Sequence, residues 1–313
     1  MLSDLQNIEE LLLTNNAADI IRKLNKDRNS ILYELYKIKN NIDNSIIINE
    51  ELIKDLIYNN YFFKLHSNSF KIPKKEKKIN VLNIFDEFMK KDTFGLKDIY
   101  DEMICRGGIK YIKERTFYLG STFYIESLKK NYIKICESND IEQASTLIHE
   151  LGHAKMNLQP KKIEYEYTSN LGEMLPIFLE LQFLDFIKEY DLKKTSYNAK
   201  LVFLKRVVDM LRQLYDELAT NKDCIKNKYV IYKIKAIIGY LLSFKLYNMY
   251  LIDEEKSIYN INQYVKNFGN MSDDKLLESM DLNTDLFKNN SILREFNNIL
   301  DDEKKLILNN VKK

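Results

Sequence analysis

The chain has 313 residues, of which 45% are hydrophobic and 30% charged, the balance of a soluble globular protein long enough for one large domain or two small ones. A net charge of only +2 gives no case for a nucleic-acid partner or an anionic membrane. No run of about 18 apolar residues occurs, so no membrane span is expected, and with eight glycines and three prolines the chain has few breakers and reads as mostly α.

Helical periodicity predicts helices over 2–14, over 17–42 (Ile20, Ile21, Leu24, Ile31, Leu32, Leu35, Ile38) and over 49–64. From His66 to Asn80 the character changes. Pro73 and the cluster Lys71, Lys74, Lys75, Lys77 and Lys78 predict a linker or exposed loop, with His66 on its surface. Helices resume over 80–92 and 95–105, the second closed by Gly107-Gly108. The aromatic and β-branched residues of 115–136 then predict one or two short strands, a hairpin or edge strand. Asp140 is placed to cap a helix over 141–158, with Gln143 completing a capping box and Gln159-Pro160 ending it. Further helices are predicted over 162–190, 196–220 and 228–252, and three or four shorter ones over 253–313.

The helix over 141–158 carries His149-Glu150-Leu151-Gly152-His153, an H-E-x-x-H motif with apolar residues before and within it. Residues four apart share a helix face, so His149 and His153 can direct imidazole nitrogens at one Zn²⁺. Glu150 lies about 100° round the helix from His149, badly placed for a ligand but within reach of a water at the metal. The chain holds three histidines and two of them are here. Catalytic zinc commonly takes three protein ligands and a water. With no histidine or cysteine nearby, the third should be a carboxylate: Glu164, Glu166, Glu173 or Glu180. If the following helix returns antiparallel after Pro160, Glu166 arrives level with His153. That favours Glu166 as ligand and Glu173 as the acceptor that orients His149. Glu180 reads as an ordinary solvated or paired charge.

These residues resemble a known family. The stretch from Asp140 to Ala154 is similar to the zinc helix of the oligoendopeptidase F and thimet oligopeptidase family. Glu166-Tyr167-Thr168-Ser169-Asn170-Leu171-Gly172-Glu173-Met174-Leu175 resembles its E-x-x-S-x-x-x-E-M-L segment. The resemblance implies a shortened helical metallopeptidase of gluzincin type in which Glu166 binds zinc. The interval from His153 to Glu166 is shorter than the family's, however, and Glu173 has the spacing found in thermolysin-like enzymes, so both carboxylates stay in view. Ile238-Gly239-Tyr240-Leu241 is similar to a Gly-Tyr segment of the family, which implies that the Tyr240 hydroxyl stabilises the oxyanion, with Tyr232 and Tyr229 behind it.

The expected activity is hydrolysis of peptide bonds in short, extended peptides. A metal-activated water attacks, Glu150 acts as general base, and there is one Zn²⁺ per chain. The strand near 115–125 could pair with the substrate backbone. Residues 1–80 are read as a helical region forming one wall of the cleft and 81–313 as the catalytic region, the two forming one integrated body. Two other functions fit the same residues: a dedicated processing protease for one peptide or regulator, and a non-catalytic helical interaction protein with a vestigial zinc site. Three unpaired-looking cysteines (Cys105, Cys136, Cys224) and an N-terminus without a basic region or apolar run point to a reduced, cytoplasmic setting.

Overall fold

In the computed structural model the described residues run from Val81 to Leu282 and on in parts to 298; short stretches are excepted, of which 114–118, 162–168 and 218–227 matter most here. The helices predicted within 1–80, with His66 and the lysine-rich loop, lie outside the described residues. The chain divides into two compact units. One takes in Lys78–Thr168 and Val265–Met271, the other Ser169–Tyr264 and Ser272–Lys313.

In the first unit, α1 (Val81–Lys90) buries Val81, Ile84, Phe85, Phe88 and Met89, the spacing of a single helical face. The Asp92 carboxylate accepts from the Phe94 and Lys97 amides (2.8 and 3.1 Å) and so orders the turn into α2 (Leu96–Cys105). The end of α2 follows from its two glycines. Gly107 takes φ +69°, its amide donates to Ile104 (3.1 Å), and the Gly108 amide donates to Met103 (2.7 Å). This is the Schellman arrangement that a left-handed residue permits.

The β-prone segment forms a three-stranded sheet: β1 (Ile109–Ile112), β2 (Gly120–Ile125) and β3 (Lys130–Cys136), in the order β1-β3-β2. The expected hairpin is β2–β3, antiparallel, with Thr122 opposite Ile133 and Gly120 opposite Ile135. β1 pairs in parallel with β3 and was not expected. It is only four residues long, and its partner strand arrives after an intervening strand, so nothing local to it signals pairing.

Helix α3 (Ile141–Asn157) lies across this sheet. Asp140 caps it by accepting from the Gln143 amide (3.1 Å). The return bond of the expected capping box goes elsewhere: the Gln143 side chain accepts from the Ser138 amide (2.8 Å), two residues upstream of the cap. Ile133 and Ile135 of β3 are fully buried, and the Asn131 amide donates to the Ala154 carbonyl (3.0 Å), which ties α3 to the sheet near its C-terminal end.

In the second unit, α4 (Met174–Phe186) runs into a 3₁₀ turn, Ile187–Tyr190. The helix predicted over 162–190 is therefore shorter at its start, and the reason is chemical. Continued through this point, it would need Pro176 to donate a backbone hydrogen bond to Gly172, which proline cannot do. Pro176 is accepted in the first turn of α4, where no donor is required. Just upstream, the Ser169 hydroxyl accepts from the Leu171 amide (3.1 Å) in a local turn. Helix α5 (Lys228–Ile252) spans the predicted range and packs on α4. Helices α6 (Glu254–Asn267), α7 (Asp273–Glu278) and α8 (Asp285–Lys288) follow, as short as expected. The architecture is mostly helical with one small sheet.

Candidate metal centre

Helix α3 buries most of its surface and leaves one narrow face partly open. His149 and His153 are on that face, one turn apart. Their Nε2 atoms are 3.2 Å apart and their rings are inclined at 75°. Two ligands held about 2.0–2.1 Å from one ion at a tetrahedral angle stand roughly 3.3 Å from each other. The imidazoles thus already have the separation that a shared zinc ion needs.

Glu150 is buried, at 6% exposure. The Thr122 hydroxyl of β2 lies 2.6 Å from its Oε2 and 2.9 Å from its backbone carbonyl. Gly120, two residues earlier on the same face of β2, lies so close to α3 that a Cβ there would stand 2.6 Å from Thr146 Cγ2 and 2.9 Å from Glu150 Oε1. The sheet therefore contacts the motif glutamate directly.

Among the described residues, one group of three could hold a metal ion: His149, His153 and Glu173. Glu173, expected to orient His149, is itself a member of this group. Glu166, the carboxylate favoured from the sequence, lies outside the described residues, as does Glu164.

Glu173 occupies the N-cap position of α4 but makes no side-chain capping bond. Its backbone is held from two sides. A Cβ on Gly239 of α5 would stand 2.6 Å from the Glu173 Cβ and 3.3 Å from its Cα, so only glycine fits there without displacing it. Two residues before Glu173, the Leu171 carbonyl accepts from the Tyr264 hydroxyl (2.7 Å). Burial, followed by the nearby charges of Asp273 and Glu173, pushes the Tyr264 hydroxyl far above its ordinary range, so it stays a donor. The Ser243 hydroxyl lies 2.7 Å from the Met174 carbonyl and adds a further tie to α5.

Tyr240 follows Gly239 on α5 and is half-buried. The side chains of Tyr229 and Tyr232 lie outside the described residues. Glu180 is buried at 4% exposure, which rules out the solvated alternative read for it and leaves the paired one. Sequence reasoning missed Gly120, Thr122 and Gly239 as parts of the site. Only Gly239 had a signal, through its place in the Gly-Tyr pair.

Two imidazoles and a carboxylate are a donor set that could hold a metal ion, and the residue after His149 is a second, buried carboxylate. No family model matches the sequence, and no curated protein matches it. Solved structures do match in fold. A protein of Bacillus anthracis str. Ames assigned as an oligoendopeptidase F is similar at a TM-score of 0.57 and 15% identity, over 82% of this chain and 57% of its own. PZ peptidase A, solved with an inhibitor, is similar at 0.58 and 13% identity, over 82% of this chain and 59% of its own. A Chlamydophila abortus protein assigned as a peptidase is similar at 0.54 and 13% identity, over 90% and 57%. The fold is that of these peptidases, and the chain spans less than two thirds of the length of each.

Proposed function

We propose that the chain is a zinc-dependent metallopeptidase that hydrolyses peptide bonds in short, extended peptides. The observation that carries this is the 3.2 Å approach of the His149 and His153 Nε2 atoms on one helix face, next to the buried Glu150, with Glu173 completing a group of three that could hold a metal ion. The fold shared with three peptidases supports it. No helix among the described residues is long and apolar enough to cross a membrane.

His149, His153 and Glu173 would hold the ion, and Glu166 is the other carboxylate to test. A zinc ion bound there supplies the Lewis acidity that makes water a nucleophile near neutral pH. Glu150 accepts the proton of the attacking water and delivers it to the leaving amine, so no net proton is consumed before the products ionise. The Tyr240 hydroxyl donates to the oxyanion as the carbonyl becomes tetrahedral. β2 is an edge strand among the described residues, bonded only to β3. Its open edge can take an extended peptide as an added strand, and folded proteins cannot offer one so easily.

The test joins metal analysis to a cleavage assay. Protein purified without added metal should carry one zinc per chain and cleave members of a panel of unrelated short fluorogenic peptides. Glu150→Gln should keep the zinc and lose cleavage. Normal cleavage by that variant would refute the base assignment. Cleavage confined to a single sequence would point to a dedicated processing protease, and the absence of zinc would favour a helical interaction protein.

A further inference from the structure

The hairpin strand β2 does more than border the helix bearing the motif. We infer that β2 seats the carboxylate of Glu150, with Thr122 as a positioning residue and Gly120 as the spacer that sets how near the strand comes. The inference rests on the reading of Glu150 as the catalytic base.

The H-E-x-x-H spacing leaves one feature of the motif undetermined. Helix geometry fixes the Cα of Glu150 relative to the two histidines, but the side chain has three further rotatable bonds. A base is effective only if its carboxylate stays within hydrogen-bond reach of the proton that it takes, and displacement by about 1 Å can cost about 100-fold in rate. Something outside the helix must therefore select the rotamer.

Thr122 is placed to do so. Its hydroxyl lies 2.6 Å from Glu150 Oε2 and 2.9 Å from the Glu150 backbone carbonyl. One side chain thus contacts both ends of the same residue, which fixes the carboxylate relative to its own backbone. The other carboxylate oxygen is bounded by Gly120, where a Cβ would come within 2.9 Å of Oε1. Residues two apart on a strand share a face, so both contacts come from one surface of β2. That surface is kept against α3 by its partners in β3: Ile133 and Ile135, opposite Thr122 and Gly120, are both fully buried. A β-branched residue, restricted about χ1, suits a positioning role better than serine, whose hydroxyl turns more freely.

Thr122→Val keeps the shape and removes the hydroxyl. It should lower kcat by about 10- to 100-fold with KM, zinc content and Tm near those of the wild type. Thr122→Ser should recover most of the loss. In a crystal structure of Thr122→Val, the Glu150 carboxylate should be turned from its place beside β2. Glu150→Gln, assayed alongside, separates the two ideas: full activity there refutes the base assignment itself. If Glu150→Gln is dead but Thr122→Val matches the wild type in kcat, or its crystal structure shows Glu150 unmoved, the positioning role is refuted alone. Loss of zinc or of Tm in Thr122→Val without recovery in Thr122→Ser would make the residue merely structural and would overturn the inference. The crystallographic arm decides the matter even where no peptide in the panel is cleaved.

Discussion

Helices α3 and α4 supply the proposed ligands by opposite means. α3 is anchored at its start by an acid: Asp140 uses its carboxylate on the helix's own amide. It is polar along one strip, where the histidines sit. α4 is apolar almost all round and nearly all of its residues are buried, yet the acid at its cap position, Glu173, makes no capping bond. α4 is secured instead by packing and by a charge cluster at its far end. There Asp185 pairs with Lys200 (2.5 Å) and Lys188 and accepts from the Tyr247 hydroxyl. The difference teaches that neighbouring elements can hold a helix in its place without a bond from its cap-position carboxylate.

The sharpest way to break this comparison is to remove the two acids separately. Glu173→Ala should weaken zinc binding by more than about 100-fold, beyond the 10- to 100-fold typical of losing a residue that only orients a ligand. It should leave the urea midpoint nearly unchanged. If Glu166→Ala strips the metal and Glu173→Ala does not, the ligand role passes to Glu166. Asp185→Asn is expected to cost about 3–5 kcal/mol at neutral pH, because it leaves the buried Lys200 without its charge partner. Burial alone would raise the Asp185 carboxyl, but Lys200, Lys188 and Tyr247 outweigh it and hold the group below the usual carboxylate range. A carboxyl lowered in the folded state stabilises above its unfolded pKa and loses that contribution as pH falls through its folded value. The difference in urea-derived stability between wild type and Asp185→Asn should therefore be full near neutrality and shrink as the pH drops below about 4. The smallest effect should come from Asp140→Ala: about 1 kcal/mol lost from the urea-derived stability, with zinc content unaffected.

The same two helices show how much of the molecule was legible. α3 was readable to within a residue, since its cap, motif and stop signal lie in one continuous stretch. α5 was readable for a similar reason, as a long periodic run without breakers. The start of α4 is not legible from periodicity, which runs on through Pro176; the backbone donor that proline lacks is what marks the break. The parallel strand β1 was not seen, because its signal lies in its pairing with a strand beyond β2. The contacts that seat Glu150 were equally hidden. Thr122 and Glu150 are 28 residues apart, and their meeting depends on how a sheet lies against a helix. Spacing rules reach along one element, and contacts of that kind fall outside them.

The pairing of β2 with β3 has one more consequence. Strand neighbours alternate between faces, so a slip of one position in that hairpin would turn Gly120 and Thr122 away from the helix and bring Ser121 and Phe123 round in their place. The bulky ring would meet the space that a bare backbone now fills, and the hydroxyl would vanish from the carboxylate. A single residue inserted or deleted at the hairpin tip is therefore expected to abolish the proposed activity while leaving every residue of the H-E-x-x-H motif intact. Loop length at this hairpin would then matter to the proposed site as much as the histidines do.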